Sequence, residues 1–600
     1  MKDFNRRDFL KTSTTSTLGM ALGASALSAQ DGNGRTPLVI TNAKVLTVDA
    51  QDRTAEAFIV EGGKFTYVGT TEEALEKQPA GARVIDAQGA TIIPGLNDSH
   101  THVVRGGMMY AMELRWDGVS SVEEALELLR AQAARTPKGQ WVRVVGGYSY
   151  EQFKEKRIPT LDEINEVVPD HPCLVKYLYA QSYLNEKAVE EIGYNGPDAP
   201  TYPGGYIARD RHGKATGLIL ADPSGLVLYK TLAKAPKLTH EEQLISSRHY
   251  HRELNSLGIT SVADCGGGGM EFPTAYNVVQ EMHDLGHQTV RIGYSTFPQV
   301  KGQEDDDYRR WTKEWKAGQG DHMLRFIGAG ENICWAAYDY EIFAMPRPDI
   351  DADAEIRQEH ILRTIHEAGW PSRQHMTYNE TIDRLLPVYE NVAHQLGGLS
   401  SHWCIDHAET ITEHNMEKIA KLGGGIAIQN RIAYQAEDFL KHYGSEELAQ
   451  TPPIRKMLEM GLPVGGGTDS TRVSSYNPWL SLEWLVTGKS VGGLQMYGDE
   501  NLLNRTEALR AWTKGSAWFT SEEKDKGSIE VGQLGDFAVL DRDYLNVPDA
   551  DIRKIRAEMT AVDGKIVHGS GRFAEYGPEL PALKPEWSPV NEFGGYYPKA

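Results

Sequence analysis

Short apolar runs rich in Val, Ile and Leu, fenced by Gly and Pro, recur along the chain and alternate with longer amphipathic stretches. Continuous apolar runs of strand length, separated by helical periodicity, predict parallel strands covered on both faces by helices. The first run, Thr91-Ile-Ile-Pro-Gly-Leu96, leads straight into Asn97-Asp98-Ser99-His100-Thr101-His102. Seven more follow at Thr260–Cys265, Val290–Tyr294, Leu324–Gly328, Pro371–His375, His402–His407, Gly425–Gln429 and Leu462–Thr468. Eight such strands predict an α/β chain whose residues 94–526 form a (β/α)8, TIM-like barrel, with its chemistry at the C-terminal ends of the strands.

The flanks read differently. Leu38–Val48, Ala57–Val68 and Arg83–Ile85 alternate apolar and polar residues about a Gly62-Gly63 turn, as β-hairpins do. A matching pattern returns at Gly532–Leu540 and Met559–Val567, joined through Asp563-Gly564. Residues 30–93 and 527–575 are therefore expected to build one small β-sandwich from both ends of the chain. Two strand-like runs, Trp141–Val145 and Cys173–Tyr177, are surplus to the barrel and predict an inserted domain over about 115–250. Residues 576–600, rich in Pro, Gly and Tyr, read as an extended tail on the surface.

Candidate chemistry falls at the ends of these strands. His100 and His102, two apart on a strand, point to one face and can share a metal ion. His375 closes the fifth run, His407 the sixth, and Asp469 follows the eighth in Gly-Gly-Gly-Thr-Asp-Ser. Alone, a strand-end His is more often a hydrogen-bonding residue, and Asp469 would read as a helix cap. Together, in barrel order, they form a set suited to a divalent ion such as Zn²⁺, with a carboxylate able to move the proton of an attacking water. Tyr150, Trp335 and Tyr434 stand near strand ends where they can line a pocket or simply pack. Arg431, after the seventh strand, can pair with a substrate carboxylate or sit at the surface.

Composition narrows the partners. A net charge of −21 disfavours nucleic acid and anionic membrane surfaces, leaving a small molecule as the expected substrate. At the N-terminus, Asn5-Arg6-Arg7-Asp8-Phe9-Leu10-Lys11, the apolar stretch Thr17–Leu27 and Ala24-Ser25-Ala26 read as a twin-arginine export signal over residues 1–29. That predicts a periplasmic protein with no stable membrane anchor, since the apolar stretch is too short to span a bilayer. Cys173, Cys265, Cys334 and Cys404 are too few and scattered for a disulfide framework. The oligomeric state stays open, a homodimer included.

The motifs resemble amidohydrolase family 3, the branch of the amidohydrolase superfamily typified by N-substituted formamide deformylase-like and YtcJ-like proteins. The likeness runs through "PGLNDSHTHVVRGG" (94–107), "IPTLDEINEVVPDHPC" (158–173), "YPGGYIARDRHGKATGLI" (202–219), "LGITSVADCG" (257–266), "CIDHAE" (404–409), "GGTDS" (466–470) and "KGSIEVGQLGDFAVLDRD" (526–543). It implies a barrel plus sandwich and hydrolysis of a carbon–nitrogen bond outside ordinary peptides. It also implies a divalent metal, one ion or two, held by His100, His102, His375, His407 and Asp469.

Three departures from the family pattern stand out. The strand-four Lys that relatives can carbamylate is replaced in the run Leu324–Gly330, where Arg325 cannot form a carbamate. Glu331 is the nearest carboxylate able to bridge two ions in its place. The "H-A-I-G-D" of strand five is His375-Met376-Thr377-Tyr378-Asn379, and an inserted-domain "D-G-H" is Tyr179-Ala180-Gln181, which makes Gln181 a substrate candidate beside Trp335 and Arg431. In a one-ion site His407 would stabilise an oxyanion rather than bind metal. The same ligands also suit a cyclic amidine deaminase, a lactonase or phosphoester hydrolase, or a binding relative without turnover.

Overall fold

The computed structural model describes residues 36–598 apart from 198, 223, 345, 346, 348, 400 and 401. The twin-arginine segment lies outside the described residues. Eight parallel strands form the central sheet: β1 (Leu96–Thr101), β2 (Ile259–Asp264), β3 (Arg291–Thr296), β4 (Leu324–Ala329), β5 (Ser372–Met376), β6 (Trp403–His407), β7 (Gly425–Gln429) and β8 (Val464–Gly467). Neighbours in sequence are neighbours in space from β1 to β8. The ring closes where Asp469 N–H donates to the His100 carbonyl at 2.8 Å and His102 N–H to the Ser470 carbonyl at 3.2 Å. Asp98 reinforces that seam by accepting from Thr468 Oγ1 at 2.6 Å.

Every residue of β1, β2, β3, β5, β6, β7 and β8 is buried, the apolar ones against the helices and the polar ones of β1 and β5 in the barrel interior and its seams. The helices between them lay apolar stripes on the sheet. Asn379–Leu396 buries Ile382, Leu385, Leu386, Tyr389 and Val392, the spacing of one helical face. His240–Ser256 begins with a reciprocal capping box between Thr239 and Glu242.

One run is divided between two sheets. Thr91–Pro94 pairs with Lys44–Leu46 and Phe537–Leu540, and only Leu96–Thr101 enters the barrel. Gly95 is the pivot: a Cβ there would lie 2.0 Å from Thr260 Oγ1, so no larger residue fits the crossing. The sandwich has a four-stranded sheet from residues 38–86 and a six-stranded sheet that adds Phe537–Leu540, Ala557–Val562 and Lys565–Gly569 to N-terminal strands.

Between β1 and β2 an inserted five-stranded sheet has the order 205–209, 215–221, 181–184, 173–177, 142–144. The strands 181–184 and 205–209 are partly exposed and mixed in polarity, and 215–221 alternates buried with less buried positions, so none of the three matches the fully buried pattern of the barrel strands. The tail crosses the His240–Ser256 helix: His249 Nε2 donates to the Pro581 carbonyl at 2.8 Å and Tyr596 N–H to Glu253 at 2.7 Å. It includes a helical turn, Pro589–Phe593. All four cysteines are buried and free. No helix among the described residues is long and apolar enough to cross a membrane.

Candidate metal centre

The C-terminal ends of β1, β5, β6 and β8 bring His100, His102, His375, His407 and Asp469 to one place, and the loop after β4 adds Glu331. All six are buried. Each imidazole has its outer nitrogen turned to an oxygen. His102 Nδ1 donates to the Gly266 carbonyl at 2.7 Å, and His407 Nδ1 to Gln429 Oε1 at 2.5 Å. His100 Nδ1 lies 2.9 Å from Asp406 Oδ1, and His375 Nε2 lies 3.2 Å from both Asp339 Oδ1 and Thr377 Oγ1. A proton fixed on the outer nitrogen leaves the inner one a bare lone pair. Those inner nitrogens converge, and His407 Nε2 and both nitrogens of His100 are buried without a hydrogen-bond partner among the described residues, the Asp406 contact at His100 Nδ1 being an ion-pair approach.

The spacing suits metal. Donors about 2.05 Å from a tetrahedrally held zinc ion lie about 3.3 Å from each other. His100 Nε2 is 3.4 Å from Glu331 Oε2 and 3.6 Å from Asp469 Oδ1. His102 Nε2 is 3.6 Å from Glu331 Oε1 and 3.1 Å from Asp469 Oδ1. Glu331 Oε2 is also 3.4 Å from His375 Nδ1 and 3.5 Å from His407 Nε2. Glu331 therefore stands at the centre of the donors, with Oε1 toward His102 and Oε2 toward His100, His375 and His407, while His100, His407 and Asp469 form a further set of mutually close donors.

The electrostatics ask for added positive charge. Burial alone would raise the Glu331 carboxyl, but the surrounding imidazoles, His100 foremost, hold it well below the ordinary range. Asp469 behaves alike: burial raises it, and His100 and His102 outweigh that. Burial opposes a charged His100, yet Cys265, Asp406 and Glu331 push its pKa well above the usual value. Without an ion the carboxylates draw protons onto His100 and His375, while burial and the neighbouring cations push His407 down; a divalent cation supplies that charge directly.

Backbone shape serves the cluster. Adjacent residues of a regular strand face opposite ways, yet Asp406 and His407 both meet His100. A left-handed φ of 83° at His407 breaks the alternation, and Asp469 has φ 54°. Asp406 is itself fixed by Arg373, whose Nε donates to it at 3.0 Å and whose Nη2 bonds both Asp406 and the Ser99 carbonyl.

Arg325 is elsewhere. It stands near the N-terminal end of β4, where it bonds the Thr520 carbonyl and meets Glu522 at 3.4 Å. Arg431 is fully buried and committed to Glu409 through Nε at 2.5 Å and Nη2 at 3.0 Å, with Nη1 3.7 Å from Asp469 Oδ2. Trp335 packs on Tyr338, which stacks on His375 at 4.2 Å, so it stands one ring away from a ligand candidate. Gln181 pairs with Tyr177 and Leu220 in the inserted sheet. Its neighbour Tyr179 is the member of that segment that comes within electrostatic reach of Asp469. Tyr150 donates to Asp438 at 3.1 Å, and Tyr434 accepts from Ser475 N–H, so both serve as packing.

Asp339, Glu341, Glu409 and Arg105 also surround the cluster and were not singled out in the sequence. Glu341 lies 3.4 Å from His375 Nε2 and 3.5 Å from Arg431 Nη1. Two left a trace: Arg105 as a charge inside the small and apolar run Val103-Val-Arg-Gly-Gly107, and Glu409 as the last residue of "CIDHAE".

The family model described as "Amidohydrolase family" matches residues 83–568. An N-substituted formamide deformylase of Arthrobacter pascens is 25% identical over 555 residues, covering 88% of this chain and 97% of the relative. The protein YtcJ of Bacillus subtilis is 24% identical, covering 86% of this chain and 96% of its own. Among solved structures, a metal-dependent hydrolase from Pyrococcus horikoshii superposes with a TM-score of 0.63 at 18% identity, covering 86% of this chain and 99% of that one.

Proposed function

The chain belongs to the amidohydrolase family, metal-dependent hydrolases of carbon–nitrogen bonds other than peptide bonds, and we propose that it cleaves an amide-type bond with two divalent ions, zinc the expected metal. The carrying observation is Glu331, whose carboxylate stands between four imidazoles at 3.4 to 3.6 Å, the place of a bridging ligand. His100, His102 and Asp469 would hold one ion and His375 and His407 the other. When bound, the ions would lower the pKa of water and polarise the substrate carbonyl.

The chain's own residues do the rest. Asp469 accepts the proton of the attacking water and returns it to the leaving nitrogen, as its position between the His100–His102 pair and Arg431 allows. Arg431 Nη1 places a cation 3.7 Å from Asp469 Oδ2, while Glu409 fixes the guanidinium. Gly266, Asp406, Gln429 and Asp339 hold the four imidazoles in the tautomers needed. Metal analysis should find two ions per chain. Asp469→Asn should keep them and lose turnover on whichever N-acyl or N-formyl compound a screen identifies. Near-normal rates in that variant would reject the proton role, and ammonia as the product would mark a deaminase instead.

The Asn5-Arg6-Arg7-Asp8-Phe9-Leu10-Lys11 segment supports export to the periplasm by the twin-arginine route, a pathway suited to a protein loaded with metal before transport. Arg6→Lys with Arg7→Lys should strand the protein in the cytoplasm on fractionation. Unchanged periplasmic recovery would end that reading.

A further inference from the structure

Arg105 sits in the first helix after β1, close behind His102, and is 3% exposed. Burying a guanidinium is costly unless a carboxylate compensates. Most buried arginines of this chain have one: Arg472 meets Glu113 through Nη1 at 2.9 Å, whereas Arg143, at the far side of the inserted sheet, bonds only the Pro236 carbonyl. Arg291, Arg373 and Arg431 are all buried, and each holds a carboxylate by the same edge, Nε and Nη2. Arg105 holds none. Its Nη1 reaches the Tyr229 hydroxyl at 3.4 Å, while Nε and Nη2, that same edge, are buried with no hydrogen-bond partner among the described residues.

The surroundings form a cradle. The Tyr229 ring lies 5.7 Å from the guanidinium, and its hydroxyl donates to the Tyr179 hydroxyl at 2.7 Å. Both tyrosines come from the inserted domain, so the cradle lies where that domain meets the barrel mouth. A Cβ built on Gly267 would stand 2.9 Å from Arg105 Nη1 and 3.2 Å from His102 Nδ1. The two side chains thus press on one glycine, beside the metal cluster. Arg431 cannot take the same role, because Glu409 already occupies its carboxylate edge. Lys176, whose Nζ lies 4.4 Å over the Tyr179 ring, is taken up by the carbonyls of Leu178 and Arg472.

We propose that the substrate is an anion, an N-acylated amino acid or a similar amide bearing a carboxylate, with that carboxylate seated on Nε and Nη2 of Arg105 and the Tyr179–Tyr229 hydroxyls. A bidentate fork of this kind selects a planar carboxylate over a neutral group. The inference rests on the hydrolase reading above for the orientation of the amide, and not for the anion subsite itself.

The test pairs N-formyl, N-acetyl and N-benzoyl derivatives of glycine, alanine and phenylalanine with their uncharged methylamides. Binding is read by calorimetry on the metal-loaded Asp469→Asn protein, and kcat/KM on the metal-loaded wild type. The best carboxylate should be preferred over its methylamide by about 30-fold or more. Arg105→Gln should collapse that ratio, Arg105→Lys should restore part of it, and Tyr229→Phe should lower it a few-fold. Metal content, read alongside, should not move. Carboxylates that bind in an Arg105-dependent way but are not cleaved would sink the hydrolase reading and leave the anion subsite standing. Cleavage of both series without preference, a ratio unaltered in Arg105→Gln, or binding of neither series would overturn the subsite.

Discussion

Arg105 at the mouth of the barrel and Arg291 at its floor are both buried guanidiniums, 3% and 1% exposed. Arg291 holds Asp536 at 2.7 and 2.8 Å and also bonds Asp563, which His322 meets at 2.9 Å. Nearby, Lys526 bonds Glu522 and Ser261, and Arg325 meets Glu522 at 3.4 Å. Those carboxylates belong to the C-terminal segments of the chain, so the floor pins the sandwich to the barrel. At the mouth, Arg105 lacks a carboxylate and the inner nitrogens of His100 and His407 lack hydrogen-bond partners among the described residues, and His407 and Asp469 hold left-handed backbone. Paired buried charge is scaffold; buried charge left unpaired costs stability and persists where a bound partner completes it.

Substitutions at the two ends should therefore fail in different ways. Glu331→Gln keeps the shape and removes the shared charge. It should cost about 10³-fold or more in kcat/KM and lower the metal content, without lowering the thermal midpoint of the metal-free protein. Both ions retained at near-normal rate would mean that Glu331 is not the shared carboxylate. Arg291→Ala should do the reverse. It strands Asp536 and Asp563, for a loss of about 3–5 kcal/mol in denaturant melts, with activity per folded molecule intact. Asp406→Asn lies between the two ends, since it supports His100 without being a ligand candidate. Zinc affinity in chelator competition should fall about 10- to 100-fold.

Much of the barrel was legible because its strands are buried on both faces and so read as continuous apolar runs. His375, His407 and Asp469 were legible because barrel chemistry collects at strand ends. Three things were not. The run 91–96 looks like one strand, and only the crowding of Gly95 against Thr260 shows that it turns from sandwich to barrel. Asp339 and Glu341 lie in the irregular stretch after β4, where no period exists to place them. Arg325 aligns with a lysine expected near metal, yet it lies six residues before Glu331, about 20 Å along an extended chain. Position in a motif did not give position along the strand.

Acid should reach the scaffold before it dismantles the floor. Burial pushes His251 and His568 down to about 4 from 6.5. Their folded-state values are depressed, so the unfolded chain takes up protons first as pH falls. Stability should drop between pH 6.5 and 4 by on the order of 3 kcal/mol for each. Glu522 follows: burial opposes its ionisation, but Lys526 and Arg325 hold it at about 2 against 4.5. Its contribution should vanish between pH 4.5 and 2. Thermal midpoints across pH 7 to 3 should show both stages, and His568→Gln should shrink the first. A flat profile from pH 7 to 4 would mean that neither histidine is buried neutral.

The smallest effect should come from the residue that looked most consequential in the sequence. Arg325 occupies the run in which relatives carry a lysine able to bridge metals, so Arg325→Lys would restore that chemistry if the side chain faced the ions. At the floor it cannot. Lysine there keeps a cation beside Glu522 and loses one bond to the Thr520 carbonyl, at about 1 kcal/mol or less. Metal stoichiometry, bicarbonate dependence and kcat/KM should all stay at wild-type values. A gain of bicarbonate-dependent activity would place residue 325 at the mouth and undo the assignment of Glu331 as the shared carboxylate. Because a null result is expected on three independent readouts, this variant tests the division between floor and mouth without disturbing either end.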